Sequence, residues 1–176
     1  KCTDAPEYEE LIKVYVELDP TSLDAQEMQA KFYESKGDYN QAISTYKTIR
    51  GIATDDAMKQ EISYKIAAAQ FKTNAYKAAY TTAISVTGEH KGKALVIAGK
   101  SVGSNANNCG ASTFERKCNN IYAVQLLEKA KALGASTGNS ISSYKSRYPT
   151  SDDLFQNSNP QSVTLTCYGV TVNPSK

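Results

Sequence analysis

Apolar residues recur along this chain at a helical period, and the small ones among them keep phase from one segment to the next. After the turn formers Gly37, Asp38 and Tyr39 come Ala42, Tyr46 and Ile49, at offsets 0, 4 and 7. Those offsets share one face of a helix. Ala79, Ala83 and Val86 repeat the seam 37 residues on, and Ala123, Leu127 and Ala130 repeat it another 44 on. A recurring unit of this size predicts stacked helix pairs, each of which hides its apolar side only against its neighbours.

Taken in order, residues 5–18 form a first helix with Tyr8, Leu11, Ile12, Tyr15, Val16 and Leu18 on a broad apolar face. Asp19 and Pro20 stop it. Thr21 or Ser22 caps a second helix that runs to about Ser35, with Met28, Ala30, Phe32 and Tyr33 inward. The third helix covers 39–50. Asp55 and Asp56 open the fourth, 56–72, where carboxylates complement the helix dipole. Asn74 turns the chain into a fifth helix, 75–87, closed by Gly88, and a sixth spans 91–102. Turn-forming residues then interrupt the rhythm over 104–113. A seventh helix follows at 119–133 and a short one near 140–147. From 148 the character changes. An extended segment and a capped turn lead to 162–172, which is β-branched and mostly alternating, a strand or small hairpin bent at Gly169. A lone hairpin is marginally stable, so it must lean on the helices. The division is therefore 1–147, helical with an inserted loop at about 103–118, and 148–176, a C-terminal extension.

The chain has 176 residues, enough for one domain or a short repeat array. Twenty basic and 18 acidic residues nearly balance, which leaves no electrostatic footprint for nucleic acid. No apolar run is long enough to span a membrane. There is no initiator Met and no signal-peptide core, which suggests a processed or excised part of a longer protein. Tyr is frequent, at 12, and suits helix packing near a surface.

Four cysteines, Cys2, Cys109, Cys118 and Cys167, allow three two-bridge pairings. Neither their spacing nor the single histidine, His90, makes a zinc site. His90 sits in a polar linker and reads as a solvated loop residue. Cys109 and Cys118 flank a polar loop, and a disulfide between them would rigidify it by roughly 2–3 kcal/mol. That bond implies an oxidising compartment. The competing reading is two free, inert thiols. A reactive thiol at Cys118, beside Arg116 and Lys117, lacks any base to activate it. The adjacent carboxylates Glu9 and Glu10, Asp55 and Asp56, and Asp152 and Asp153 diverge by about 100° on a helix and make poor acid–base pairs. No phosphate-binding loop, dinucleotide fingerprint or metalloprotease motif occurs, so no catalytic, cofactor or metal residues are assigned.

These residues resemble a tetratricopeptide repeat array. Ala30, the Gly37, Asp38 and Tyr39 turn, Ala42, Tyr46 and Ile49 match one unit, and Ala67, Tyr76, Ala79, Ala83 and Val86 match a second. The two small residues of each unit are 12 apart. Pairing Ala98 with Ala123 gives a third unit with 13 extra residues and no Gly-Asp-Tyr turn. Leu18, Asp19 and Pro20 resemble the end of an earlier unit, so further repeats of the same chain are expected upstream. The resemblance covers about 5–133 and implies an all-α, right-handed superhelix of about seven helices. It also implies a concave groove for a protein or peptide partner, lined by Glu27, Lys31 and Glu34 and then by Tyr64, Lys65, Ala68, Phe71 and Lys72. The competing reading is that these are ordinary solvated helix faces, with Phe71 in the core. The cysteine-bearing insertion and the terminal strand are similar to envelope repeat proteins of Bacteroidetes-type bacteria. The expected function is thus a non-enzymatic interaction scaffold in the periplasm or at the cell surface. The alternatives are a carbohydrate-binding or enzyme-accessory module, suggested by the tyrosine-rich faces and the Asn-rich loop 104–108, and a self-assembling repeat.

Overall fold

The phased pattern folds as helices. The computed structural model describes residues 6–175. Among these are α1 (Pro6–Leu18), α2 (Leu23–Ser35), α3 (Tyr39–Ile52), α4 (Asp56–Lys72) and α5 (Tyr76–Ile84). They continue with α6 (Lys91–Ser104), α7 (Thr113–Ala132), α8 (Ser140–Lys145) and α9 (Ser151–Gln156), and end on strands β1 (Val163–Leu165) and β2 (Val170–Val172). The fold is mostly helical, with one small antiparallel sheet. The chain divides into two compact units, one ending at His90 and one beginning at Lys91. The extension from 148 belongs to the same unit as α6 and α7.

In the first unit the starts of α2, α3 and α4 are set by side chains that accept hydrogen bonds from orphaned backbone N–H groups. Ser22 accepts from Ala25, Asp38 from Gln41, and Asp55 from Met58 at 2.8 Å. Asn74, at φ 61°, turns the chain between α4 and α5. The core gathers Ala30, Ala42, Tyr46, Ile49, Ile62 and Ile66 from α2, α3 and α4. Ala30, Ala42, Ala67 and Ala79, the four expected small residues of this unit, are completely buried. A methyl side chain at each lets two helices approach closely without leaving a void. Helix α5 ends at Ile84, three residues short of expectation, yet Val86 still fills its place in the seam. The broad apolar face expected of α1 is only partly used. Ile12 is buried, Tyr8 and Val16 are half-buried, and Leu11 and Leu18 are 60% and 80% exposed. One neighbour, α2, cannot cover a face that wide.

In the second unit α6 packs along α7 through small residues. Ala98 and Ala123 are fully buried. A Cβ at Gly99 would lie 2.7 Å from Leu127 Cγ and 2.9 Å from the Ala123 carbonyl, so glycine is what the contact distance permits. The expected inserted loop of about 103–118 is largely helical. It contains a 3-10 turn (Ala106–Asn108) and the first turns of α7, which begins at Thr113 rather than 119. Ser112 caps that start by accepting from the Glu115 N–H at 3.1 Å. The extra turns carry Phe114 and Cys118, which together with Ile121 form a core with Leu165 and Val172 of the hairpin. Register pairs Val163 with Val172 and Leu165 with Val170. Thr164 and Thr171 lie opposite one another between those pairs, their hydroxyls 3.2 Å apart on an exposed edge. The segment expected to be extended before a capped turn contains a full helix, α9. Thr150 and Asp153 cap it reciprocally, the Thr150 hydroxyl accepting from the Asp153 N–H and the Asp153 carboxylate from the Thr150 N–H.

Candidate functional site

The expected groove residues come from alternate helices, and the structure brings part of them together over one tyrosine. Tyr46 rises from α3 between α2 and α4, and its body is buried. Its hydroxyl bonds Glu34, and burial, with the charge of Glu34 second, pushes its ionisation far up. Lys65 Nζ lies over the ring at 5.9 Å from its centroid. Lys65 also pairs with Glu61 at 2.8 Å, one turn away, and its hydrogen bond holds the Glu61 carboxyl below the usual range. On α2, Lys31 pairs with Glu27 at 3.1 Å. Glu27, Lys31 and Glu34 from α2 and Glu61 and Lys65 from α4 thus form one charged face around a neutral Tyr46. Glu61 is the member of this set that sequence reasoning missed. Its spacing of four from Lys65 was the available signal.

Tyr64 and Phe71 take other roles. Tyr64 stacks on His90, with ring centroids 5.6 Å apart and planes 18° from parallel. His90, expected as a solvated loop residue, is instead half-buried in a 3-10 turn (Gly88–His90) against α4. Its Nδ1 is buried without a hydrogen-bond partner. Phe71 is half-buried and packs edgewise on Tyr76, with centroids 5.4 Å apart, while Lys72 is exposed at the end of α4. Four charges of the α2–α4 face are paired within their own helices, Glu27 with Lys31 and Glu61 with Lys65. Solvated faces of this kind stabilise their helices by a few tenths of a kcal/mol per pair. The Tyr46 hydroxyl and the Glu34 carboxylate join α3 to α2, and the Thr45 hydroxyl, donating to Gln29 Oε1 at 3.4 Å, joins them again.

The cysteine pairing differs from the one expected. The disulfide joins Cys109 to Cys167 across 58 residues, with Cα atoms 6.0 Å apart. Cys118 is a free, buried thiol. The reason is the early start of α7. Residues 113–118 are helical, so Cys118 points into the hairpin core rather than back at Cys109. The bridge therefore closes no local loop; it fastens the hairpin to the segment that precedes α7. Burial first, and the charges of Glu115 and Asp153 after it, push the Cys118 thiol up to about 11. It is thus the reverse of an activated nucleophile. Cys2 lies outside the described residues.

Among the described residues, no group of three or more His, Cys, Asp or Glu side chains could hold a metal ion. No described helix is long and apolar enough to cross a membrane. Compared with known proteins, the chain matches no family model, no curated protein and no solved structure.

Proposed function

We propose that this chain is a non-enzymatic interaction scaffold of the tetratricopeptide type, working in an oxidising compartment of the bacterial envelope. The observation that carries the reading is the α2–α4 face. There, side chains from two first helices of successive pairs meet over Tyr46 and stay exposed enough to reach a partner. The buried alanines, spaced 12 apart within each pair, support the repeat assignment, because both pairs pack through small residues at matched spacing. The Cys109–Cys167 bond supports the compartment, since structural disulfides persist where thiols are not kept reduced. The partner that fits is a protein or peptide with alternating charges, because acidic and basic groups alternate along the face.

The test is affinity capture from envelope extracts, with the wild-type chain and a Lys31→Glu/Lys65→Glu double variant as parallel baits. Both substitutions lie on the face and leave the alanine seams intact. The reading expects a protein retained by the wild type and lost from the variant. Equal retention by both, or retention by neither, would remove the face from consideration.

A further inference from the structure

In the second unit a cleft of about 600 Å³ opens beside the start of α7. That is the size range of small-ligand sites. Its lining includes Gly103 from α6, Thr113, Arg116, Lys117 and Asn120 from α7, and Arg147 from the segment after α8. The α7 residues stand at offsets 0, 3, 4 and 7, so they share one face of the helix. Three of the lining residues are cations and none is acidic, although the whole chain is nearly balanced.

Each cation is held by a contact that leaves donors to spare. Arg116 Nε donates to the Gly110 carbonyl at 3.2 Å, which engages one of five guanidinium N–H groups. The guanidinium of Arg147 lies over the Tyr144 ring at 5.4 Å, a contact that engages its face rather than its N–H edge. Tyr144 is seated in turn where only glycine allows: a Cβ at Gly103 would fall 2.2 Å from the ring. Lys117 is paired with Asp153 at 2.6 Å, which offsets one charge of the three.

The second observation concerns Asn120, which is 4% exposed. Its Nδ2 donates to the carbonyl of Lys117 at 3.0 Å and to that of Arg147 at 3.5 Å. Reversing the amide would set oxygen against two oxygens, so its orientation is fixed. Its Oδ1 is buried and accepts from no group. A buried acceptor without a donor costs about 1–3 kcal/mol, and Asn120, which carries it, is one of the residues lining the basic cleft.

We propose that this cleft binds a small hydroxylated anion, a sugar bearing a carboxylate or a phosphate. Its negative group lies between Arg116 and Arg147, and one hydroxyl donates to Asn120 Oδ1. Cations, hydroxyls and amides stand among the lining residues, the groups a charged sugar requires. The site is on the other unit from the α2–α4 face and does not depend on it.

The experiment titrates the full chain with galacturonate, glucose 6-phosphate, inorganic phosphate and glucose, followed by amide chemical shifts and calorimetry. One of the two charged sugars should give saturable shifts centred on 113–120 and 147, and the preferred one identifies the anion. Glucose should bind at least about tenfold more weakly, as should inorganic phosphate, which lacks the carbon-borne hydroxyl. Arg116→Ala and Arg147→Ala should each weaken the charged sugar about tenfold, the ratio equivalent to about 1.4 kcal/mol. Arg116 is exposed and its side chain hydrogen-bonds a loop carbonyl, so its variant remains informative if Arg147→Ala does not fold. Absence of saturable shifts with both charged sugars, glucose or phosphate binding as tightly as they do, or Arg116→Ala binding like the wild type would each overturn the proposal.

Discussion

Removing the Cys109–Cys167 bond should cost more than any surface change in this chain. The bond spans 58 residues. The chain-entropy relation then gives a stabilisation of about 4 kcal/mol at 25 °C, acting through the unfolded ensemble. Strain and residual unfolded structure usually reduce such figures, so a loss of about 2–4 kcal/mol is expected. The structural consequence should be local. The hairpin has only three residues per strand, and Leu165 and Val172 are its fully buried contributions to the core around Phe114 and Ile121. An isolated pair of strands is marginal in water, so the hairpin should open when the bond is absent. The assay is urea denaturation of wild type and Cys167→Ala, followed by far-ultraviolet circular dichroism, alongside a non-reducing peptide map of the wild type. The map should link the peptides carrying Cys109 and Cys167. A map linking Cys109 to Cys118, or a stability difference under about 0.5 kcal/mol, would refute the pairing and the role given to it.

Three further outcomes follow from the packing and the charges. Gly99→Ala gains about 1 kcal/mol of helix propensity but places a methyl against a backbone carbonyl at 2.9 Å, so a net loss of about 1–2 kcal/mol is expected in denaturation; a gain would mean that α6 and α7 lie farther apart. The Lys117 hydrogen bond, followed by those from Thr150, holds the Asp153 carboxyl down at about 2. A depressed carboxyl stabilises the fold above its unfolded value of about 3.9, and that contribution is lost as pH falls through about 2. Asp153→Asn should therefore flatten the stability curve between about pH 4 and 2 and leave its shape above pH 5 unchanged, as acid titration of the melting temperature would reveal. Cys118, with its thiol raised to about 11, should resist alkylation at pH 8 in the folded chain and react once urea is added; rapid native labelling of the Cys118 peptide would contradict its burial.

The parts of the fold that sequence makes legible are those governed by local periodicity. Ala42, Tyr46 and Ile49 share a face because of their spacing alone, and the structure buries all three. Ser22 and Asp55 sit where capping chemistry puts them. The early start of α7 is obscured because Asn and Ser over 104–113 read as loop. Yet Ser112 and Glu115 carry the spacing of a helix start, and Glu115 does reach back, accepting from the Ala111 N–H at 2.6 Å. The disulfide is not legible because the partners are 58 residues apart, and local spacing favours the nearer, wrong cysteine. The basic cleft is hidden for a related reason. Arg116 and Lys117 are adjacent in sequence, but Arg147 and Gly103 join them only through the packing of three segments. The exposed Leu11 and Leu18 show the converse limit: periodicity identifies an apolar face without saying whether anything covers it.

The central structural claim is that methyl-sized residues at matched positions set the approach of neighbouring helices. It is tested most directly by denaturing two variants that differ by one position on α4. Ala67 is completely buried in the seam, whereas Ala68 beside it is half-exposed. Overfilling a packed site costs about 1–3 kcal/mol, while an exposed helix position tolerates leucine almost freely. Ala67→Leu should therefore lower stability by about 1–3 kcal/mol and Ala68→Leu by less than about 0.5. Equal effects from the two, or a larger one from Ala68→Leu, would contradict the seam.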